Sequence, residues 1–235
     1  MDKKRGEVYL VPIALADEGY DHLPLMIKNT IQKCDAFFVE NLRTARRAFK
    51  KIDRSFDIDA RLWFEIENKE ENHLHDFNRM LAEGKTVGIV SESGCPGIAD
   101  PGQKLVAAAQ QQHYKVIPIT GPNSILLALM ASGMNGQHFN FVGYLPISTL
   151  EREKKIKELE KKCNTENCTI IFIETPYRNN PVFQSLISCL HKDTKLCIGH
   201  DITSPQEWII TKTVEAWKKE TLELPKQPTI FLLGK

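Results

Sequence analysis

Thr86-Val-Gly-Ile-Val-Ser-Glu-Ser-Gly-Cys-Pro-Gly-Ile-Ala-Asp-Pro-Gly102 opens as a short apolar run and then breaks into a long, shaped loop. The helix-like Gln103-Lys-Leu-Val-Ala-Ala-Ala109 follows it. Lys115-Val-Ile-Pro-Ile-Thr-Gly-Pro-Asn-Ser124 repeats the plan and runs into the apolar Ile125-Leu-Leu-Ala-Leu-Met130. Each stretch reads as a buried strand, a loop and a helix. In open α/β sheets, ligands bind in the crevice beyond the carboxyl ends of the strands. The two loops therefore decide the fold class and mark the candidate site.

Outward from them, the same alternation continues. Glu7–Val11 and Ala36–Val39 read as strands, and Val87–Val90 and Val116–Ile119 supply two more. Helical patterns cover Leu23–Lys33, with Leu25, Met26, Ile27 and Ile31 as the apolar face, Arg43–Lys51, Lys69–Glu83 ending at Gly84, and Gln103–Gln112. Asp53–Glu67 has no readable period. Strands alternating with helices predict a parallel sheet. The polar, glycine-containing turn Gly133–Gln137 suggests a boundary, giving an amino-terminal α/β domain over 1–136 and a carboxy-terminal one over 137–235. In the latter, Phe139–Tyr144, Thr169–Ile173, Leu196–Gly199, Trp208–Thr211 and Thr229–Leu233 read as strands. The short connection between the last two predicts a mixed sheet there.

The chain has 235 residues, with 31 basic and 30 acidic side chains, so no bulk charge demands a polyanionic partner. Six cysteines show neither a CxxC pair nor metal-ligand spacing, so the expectation is free thiols in a reducing compartment and no metal. The start, Met-Asp-Lys-Lys-Arg5, lacks an apolar signal region, and no run approaches the ~18 apolar residues of a membrane span. A cytoplasmic, membrane-free protein is expected.

What the loops can hold is narrowed by what they lack. The place of a G-x-G-x-x-G fingerprint after the first strand holds Pro12-Ile-Ala-Leu-Ala-Asp17. Gly84-Lys85-Thr86 precedes its strand, so it is no P-loop; no G-x-S-x-G or H-E-x-x-H occurs. Asp100-Pro101 suits an N-cap and first helical residue. Ser91–Gly102 is nevertheless a twelve-residue loop with three glycines and two prolines, more shape than a cap requires. A helix start after Thr120-Gly-Pro-Asn123 offers N–H groups to a carboxylate or phosphate. The residues themselves reach only a small organic ligand held mainly by backbone.

Ser91-Glu-Ser-Gly-Cys-Pro-Gly-Ile-Ala-Asp-Pro-Gly102 resembles the S-D-A-G-T-P-G-I-S-D-P-G segment of the RNA-methylating branch of the tetrapyrrole methylase superfamily. Pro118–Ser124 resembles that family's P-L-P-G-P-S-A, Gly143-Tyr-Leu-Pro146 its G-F-L-P, and Glu174-Thr-Pro-Tyr-Arg178 its E-S-P-H-R. The likeness runs in order through nearly the whole chain. It implies two α/β domains with S-adenosylmethionine in the cleft between them, and a homodimer. By position it carries cofactor contacts onto Pro12, Glu92, Gly94, Pro96, Ile98, Asp100, Asn123 and Ser124. Departures lie elsewhere: the first loop lacks its glycine, Asn41 replaces an acidic residue in Glu40-Asn-Leu-Arg-Thr44, and Tyr177 replaces a histidine. They keep the methyltransferase reading and leave open an acceptor other than the family's ribose hydroxyl.

A hydroxyl acceptor needs a base, and Glu40 and Glu174, each at a strand's carboxyl end, are the candidates, capping or ion pairing being their structural alternatives. Arg43, Arg46, Arg47 and Lys50 fall on one helix face, and Arg152, Lys154, Lys155 and Lys157 form a second group; each reads as RNA-binding or as solvated surface. Three functions remain open: methylation of ribosomal RNA, methylation of a tetrapyrrole or other small molecule, and binding without turnover on the same fold.

Overall fold

A computed structural model describes residues 5–66 and 70–235, and the chain divides into two compact units, residues 1–123 and 124–235. The first unit holds strands β1 (Glu7–Leu10), β2 (Ala36–Val39), β3 (Leu62–Glu65), β4 (Thr86–Val90) and β5 (Lys115–Pro118). All pair parallel, in the order β3-β2-β4-β1-β5. Helices α1 (Met26–Lys33), α2 (Leu42–Ile52), α3 (Leu74–Ala82) and α4 (Gln103–Gln111) cover both faces.

The alternation within β2 explains the layering. Phe37 and Val39 point into one core with Ile27 and Ile31 of α1 and Ala45, Ala48 and Phe49 of α2. Ala36 and Phe38 point into the other with Phe77, Met80 and Leu81 of α3 and Leu105 and Ala109 of α4. A strand buried on both faces reads as a continuous apolar run, as Ala-Phe-Phe-Val does. Gly88 on the neighbouring strand is needed there: a Cβ would lie 2.6 Å from the Phe37 ring.

Three expectations for this unit are revised. Helix α1 starts at Met26, because Pro24 holds Leu23 extended (ψ 137°). Its buried positions are Ile27, Thr30 and Ile31, while Leu25 is 95 % exposed. The unassigned Asp53–Glu67 contains β3, a four-residue edge strand whose partial burial leaves no period to read; Glu67 lies outside the described residues. The helix expected over Lys69–Glu83 is a 3-10 turn at Glu70–His73 followed by α3, closed by Gly84 at φ 81°; Lys69 too lies outside the described residues.

The second unit begins with α5 (Ser124–Ser132), which packs on its own unit's sheet, so the turn at 133–137 lies inside this unit. Strands β6 (Phe139–Tyr144), β7 (Thr169–Glu174), β8 (Lys195–His200), β9 (Trp208–Thr213) and β10 (Thr229–Gly234) take the order β6-β7-β10-β8-β9. Only β6 and β7 pair parallel, so the sheet is mixed, as expected. Helices α6 (Thr149–Glu166), α7 (Asn179–Cys189) and α8 (Val214–Lys218) bury one face around Phe172, Phe183, Trp217 and Phe231. On the other face α5 packs on β8, β9 and β10, and Gly199 makes room for Ile230 and Ile202, from which an added Cβ would stand 2.8 and 3.1 Å.

Candidate functional site

Strand order places the first unit's loops side by side. Because β2, β4, β1 and β5 are neighbours, residues that follow their carboxyl ends form one line: Glu40, Ser91, Pro12 and Thr120. The loops are also bonded to each other. Ile13 N–H donates to the Gly94 carbonyl at 3.0 Å, and Glu40 N–H to Val90 at 3.0 Å. Gly121 packs directly on Pro12, so closely that a Cβ at 121 would lie 2.3 Å from the proline Cβ. A Cβ at Gly94 would lie 2.9 Å from Leu15 Cδ2 and 3.1 Å from the Pro122 carbonyl oxygen.

The Ser91–Gly102 loop is wound tightly. Gly94, Gly97, Ala99 and Gly102 all have positive φ, at 66°, 78°, 64° and 119°. The alanine is the informative one, since left-handed backbone in a non-glycine residue costs energy and clusters at functional sites. Asp100 is not the N-cap of α4; that position is Gly102, without a side-chain cap. The expectation from Asp-Pro is corrected, and the Asp100 carboxyl is left available to the loop.

That carboxyl sits in an acidic surround. Glu92 N–H donates to Glu40 Oε2 at 2.8 Å, and Thr44 Oγ1 donates to Glu92 Oε1 at 2.9 Å. Burial raises Asp100 to about 7, the Glu40 charge adds to the rise, the Ser91 hydroxyl opposes it, and Glu92 adds again. The surround thus favours the protonated form of Asp100 far more than water does, and a positive group would reverse that preference. Pro12, Gly94 and Pro96 are buried and form the floor of the loops, while Glu92 and Ile98 are exposed. Asn123 closes the first unit and Ser124 is the first residue of α5.

The other expected residues sort differently. Arg43, Arg46, Arg47 and Lys50 are all exposed on α2, opposite Ala45, Ala48 and Phe49, with Arg46 over the Trp63 ring at 5.3 Å. In the second group Arg152 is buried, donating to Ser185 Oγ at 3.0 Å, the Ile147 carbonyl at 2.8 Å and Thr149 Oγ1 at 3.2 Å. It is a brace within its unit, which removes it from the basic surface. Glu174 is buried as well: its carboxylate lies 3.0 Å from Arg178 Nη2 and accepts from Thr175 N–H at 2.7 Å. It belongs to a polar row in which Glu174, Thr229 and His200 stand opposite one another on β7, β10 and β8. Asn179 Nδ2 donates to Thr229 Oγ1 at 2.9 Å, and burial lowers the His200 pKa.

Gly121, Ser91 and Thr44 are site-forming residues that pattern reading passed over. Thr120-Gly-Pro carried the signal for Gly121; the other two emerge only once β2 and β4 are neighbours. All six cysteines are free, and burial pushes the Cys34 thiol up to about 12. Among the described residues one group has metal-ligating atoms within 4.8 Å, His138, Glu166 and Cys168, brought together at the start of β6 and β7. No described helix is long and apolar enough to cross a membrane.

With this geometry in hand, comparison with known proteins is decisive. Residues 7–217 match the family model described as Tetrapyrrole (Corrin/Porphyrin) Methylases. The chain belongs to this family. Among curated methylase relatives, the "Ribosomal RNA small subunit methyltransferase I" of Halalkalibacterium halodurans is 29 % identical over 93 % of this chain and 69 % of its own length. The Bacillus subtilis protein of the same name is 29 % identical over 92 % of this chain and 71 % of its own. Solved tetrapyrrole methylases share the fold. A uroporphyrin-III C-methyl transferase from Thermus thermophilus, complexed with S-adenosylhomocysteine, aligns at TM-score 0.58 and 14 % identity, covering 98 % of both chains. A cobalt precorrin-4 methyltransferase aligns at 0.60 and 17 %, covering 97 % and 94 %.

Proposed function

We propose that the chain is an S-adenosylmethionine-dependent methyltransferase of small-subunit ribosomal RNA, with a ribose 2′-hydroxyl as acceptor, working in the cytoplasm as a homodimer. The observation that carries this reading is the backbone cradle at the carboxyl ends of β1, β4 and β5, rimmed by Glu40, Glu92 and Asp100. Packed glycines keep side chains out of it, and the acidic rim suits a ligand bearing an ammonium and a sulfonium. Pro12, Gly94 and Pro96 form its floor, Glu92, Ile98 and Asp100 its wall, and Asn123 and Ser124 complete the set. Small-subunit RNA as substrate follows the names of relatives that span most of this chain, and the ribose hydroxyl follows the motif resemblance.

Bound S-adenosylmethionine supplies an activated methyl group on a good leaving group. The chain's own residues therefore position more than they react. Of the two candidate bases, Glu40 lies at the carboxyl end of β2, next to the loop that begins at Ser91, and is the one assigned to take the proton of an acceptor hydroxyl. Glu174, buried and paired inside its own unit, is left to structure.

Incubation with labelled S-adenosylmethionine and small ribosomal subunits from cells lacking this protein tests the proposal. Label in a ribose of the small-subunit RNA supports it. Label in a tetrapyrrole fraction, with none in RNA, transfers the function to a small acceptor. No label in any fraction leaves a binding protein.

A further inference from the structure

We propose that the second unit carries a platform for an unpaired RNA base, built from the loop after β6, with Tyr144 and Ile147, and from Tyr177 after β7. It deepens the RNA reading above and rests on it. Strand β6 shifts register between Phe141 and Tyr144, and Gly143 turns at φ 71°, which brings Tyr144 to 56 % exposure. Ile147 and Tyr177 are about four-fifths exposed.

Exposed apolar residues on a loose loop would mean little. This loop is not loose. Arg178 Nη2 donates to the Leu145 and Pro146 carbonyls, both at 3.1 Å, and Arg152 Nη1 donates to that of Ile147 at 2.8 Å. Leu145 between them is buried. Two arginines thus fix the backbone that holds Tyr144 and Ile147 outward, the preorganisation that lowers the cost of binding. Beside it lies an open cavity of about 480 Å³, walled by Tyr144, Pro146 and Ile147 and edged by Lys155, Thr175 and Arg178. Lys226 stands over the Tyr177 ring at 5.4 Å.

Cations around aromatic and apolar faces are the pattern that reads single-stranded RNA: rings stack on splayed bases and lysines meet the backbone. Among the described residues no carboxylate lines the cavity, although Arg178 is held by Glu174 behind it and Lys155 lies 3.7 Å from Glu158, so Lys155 and Lys226 are the side chains that would meet a phosphate. A second copy of this chain fits less well, since a two-fold contact would set this same cationic edge against itself.

Fluorescence anisotropy with a 12-nucleotide unstructured RNA tests the platform, beside a duplex of the same sequence and a parallel titration with S-adenosylmethionine. Tyr177→Ala and Tyr144→Ala should each weaken single-strand binding by roughly tenfold and leave cofactor affinity unchanged. Lys155→Ala with Lys226→Ala should flatten the salt dependence by about 0.7 in log–log slope for each phosphate that is no longer neutralised. Wild-type RNA affinity in both tyrosine variants overturns the proposal. So does a change from dimer to monomer in Ile147→Asp with RNA binding intact, which assigns the face to a second copy. A wild-type chain that binds the cofactor but no RNA at any salt overturns the RNA reading and this platform with it.

Discussion

Both sheets end in a row of polar residues, and the two rows have opposite characters. In the first unit, Glu40, Glu92 and Asp100 gather around loops of strained backbone, and Asp100 is held near 7 by burial and by like charges. In the second, Glu174, Thr229 and His200 are buried under α7, bonded to Arg178 and Asn179. One row concentrates like charge; the other uses its charge to close a core. A carboxylate at a strand's carboxyl end is thus a structural part or a reacting group according to what already holds it.

The largest effect on that contrast should come from Glu174→Ala. It leaves Arg178 without its partner in a mostly buried site, and the loss should be about 2–3 kcal/mol, under the 3–5 of a fully buried pair because Arg178 is partly exposed. Chemical denaturation measures this, and cofactor affinity of the folded variant should match wild type. A catalytic defect with undiminished stability would reverse the assignment of the two rows.

Asp100 sharpens the other side. A cationic ligand favours its ionised form, so below about pH 7 binding must expel a proton. S-Adenosylmethionine affinity should fall by up to about tenfold per pH unit as pH drops from 7 toward 5.5, and level off above 8. Asp100→Asn should bind more weakly with that slope removed, as calorimetry in two buffers of different ionisation enthalpy would register. A slope retained in the variant places the titrating group elsewhere.

The smallest effect concerns the basic face of α2. Arg43→Ala, Arg46→Ala and Arg47→Ala together should lower RNA affinity by a similar factor for every sequence. The log–log salt slope should decrease by about 0.7 for each single-strand phosphate that these arginines neutralise. Sequence-selective weakening would mean that these side chains read bases.

Much of this was legible beforehand, and the gaps have physical reasons. Ala36–Val39 and the basic helix after it were clear because a doubly buried strand and a strongly amphipathic helix impose their periods on sequence. Strand β3 was invisible because a short, half-exposed edge imposes none. The loop Ser91–Gly102 announced itself by its glycines and prolines. Its carboxyl at Asp100 was named only through the family resemblance, because Asp-Pro before a helix is also what a cap looks like, and Gly102 at φ 119° is what shows the cap lies elsewhere. The acidic rim was beyond pattern reading altogether: Glu40 and Glu92 are 52 residues apart and meet because β2 pairs with β4. Arg152 misled in the reverse sense, since a charge run does not reveal which member turns inward.

The cradle itself is tested most directly at Gly121. Calorimetric titration of S-adenosylmethionine into wild type and Gly121→Val should show binding near one per chain in the first. In the second, a Cβ forced against Pro12 displaces the loop, and affinity should fall by about 100-fold while circular dichroism stays that of a folded protein. Equal affinity in the two proteins would contradict the placement of the cofactor on these loops.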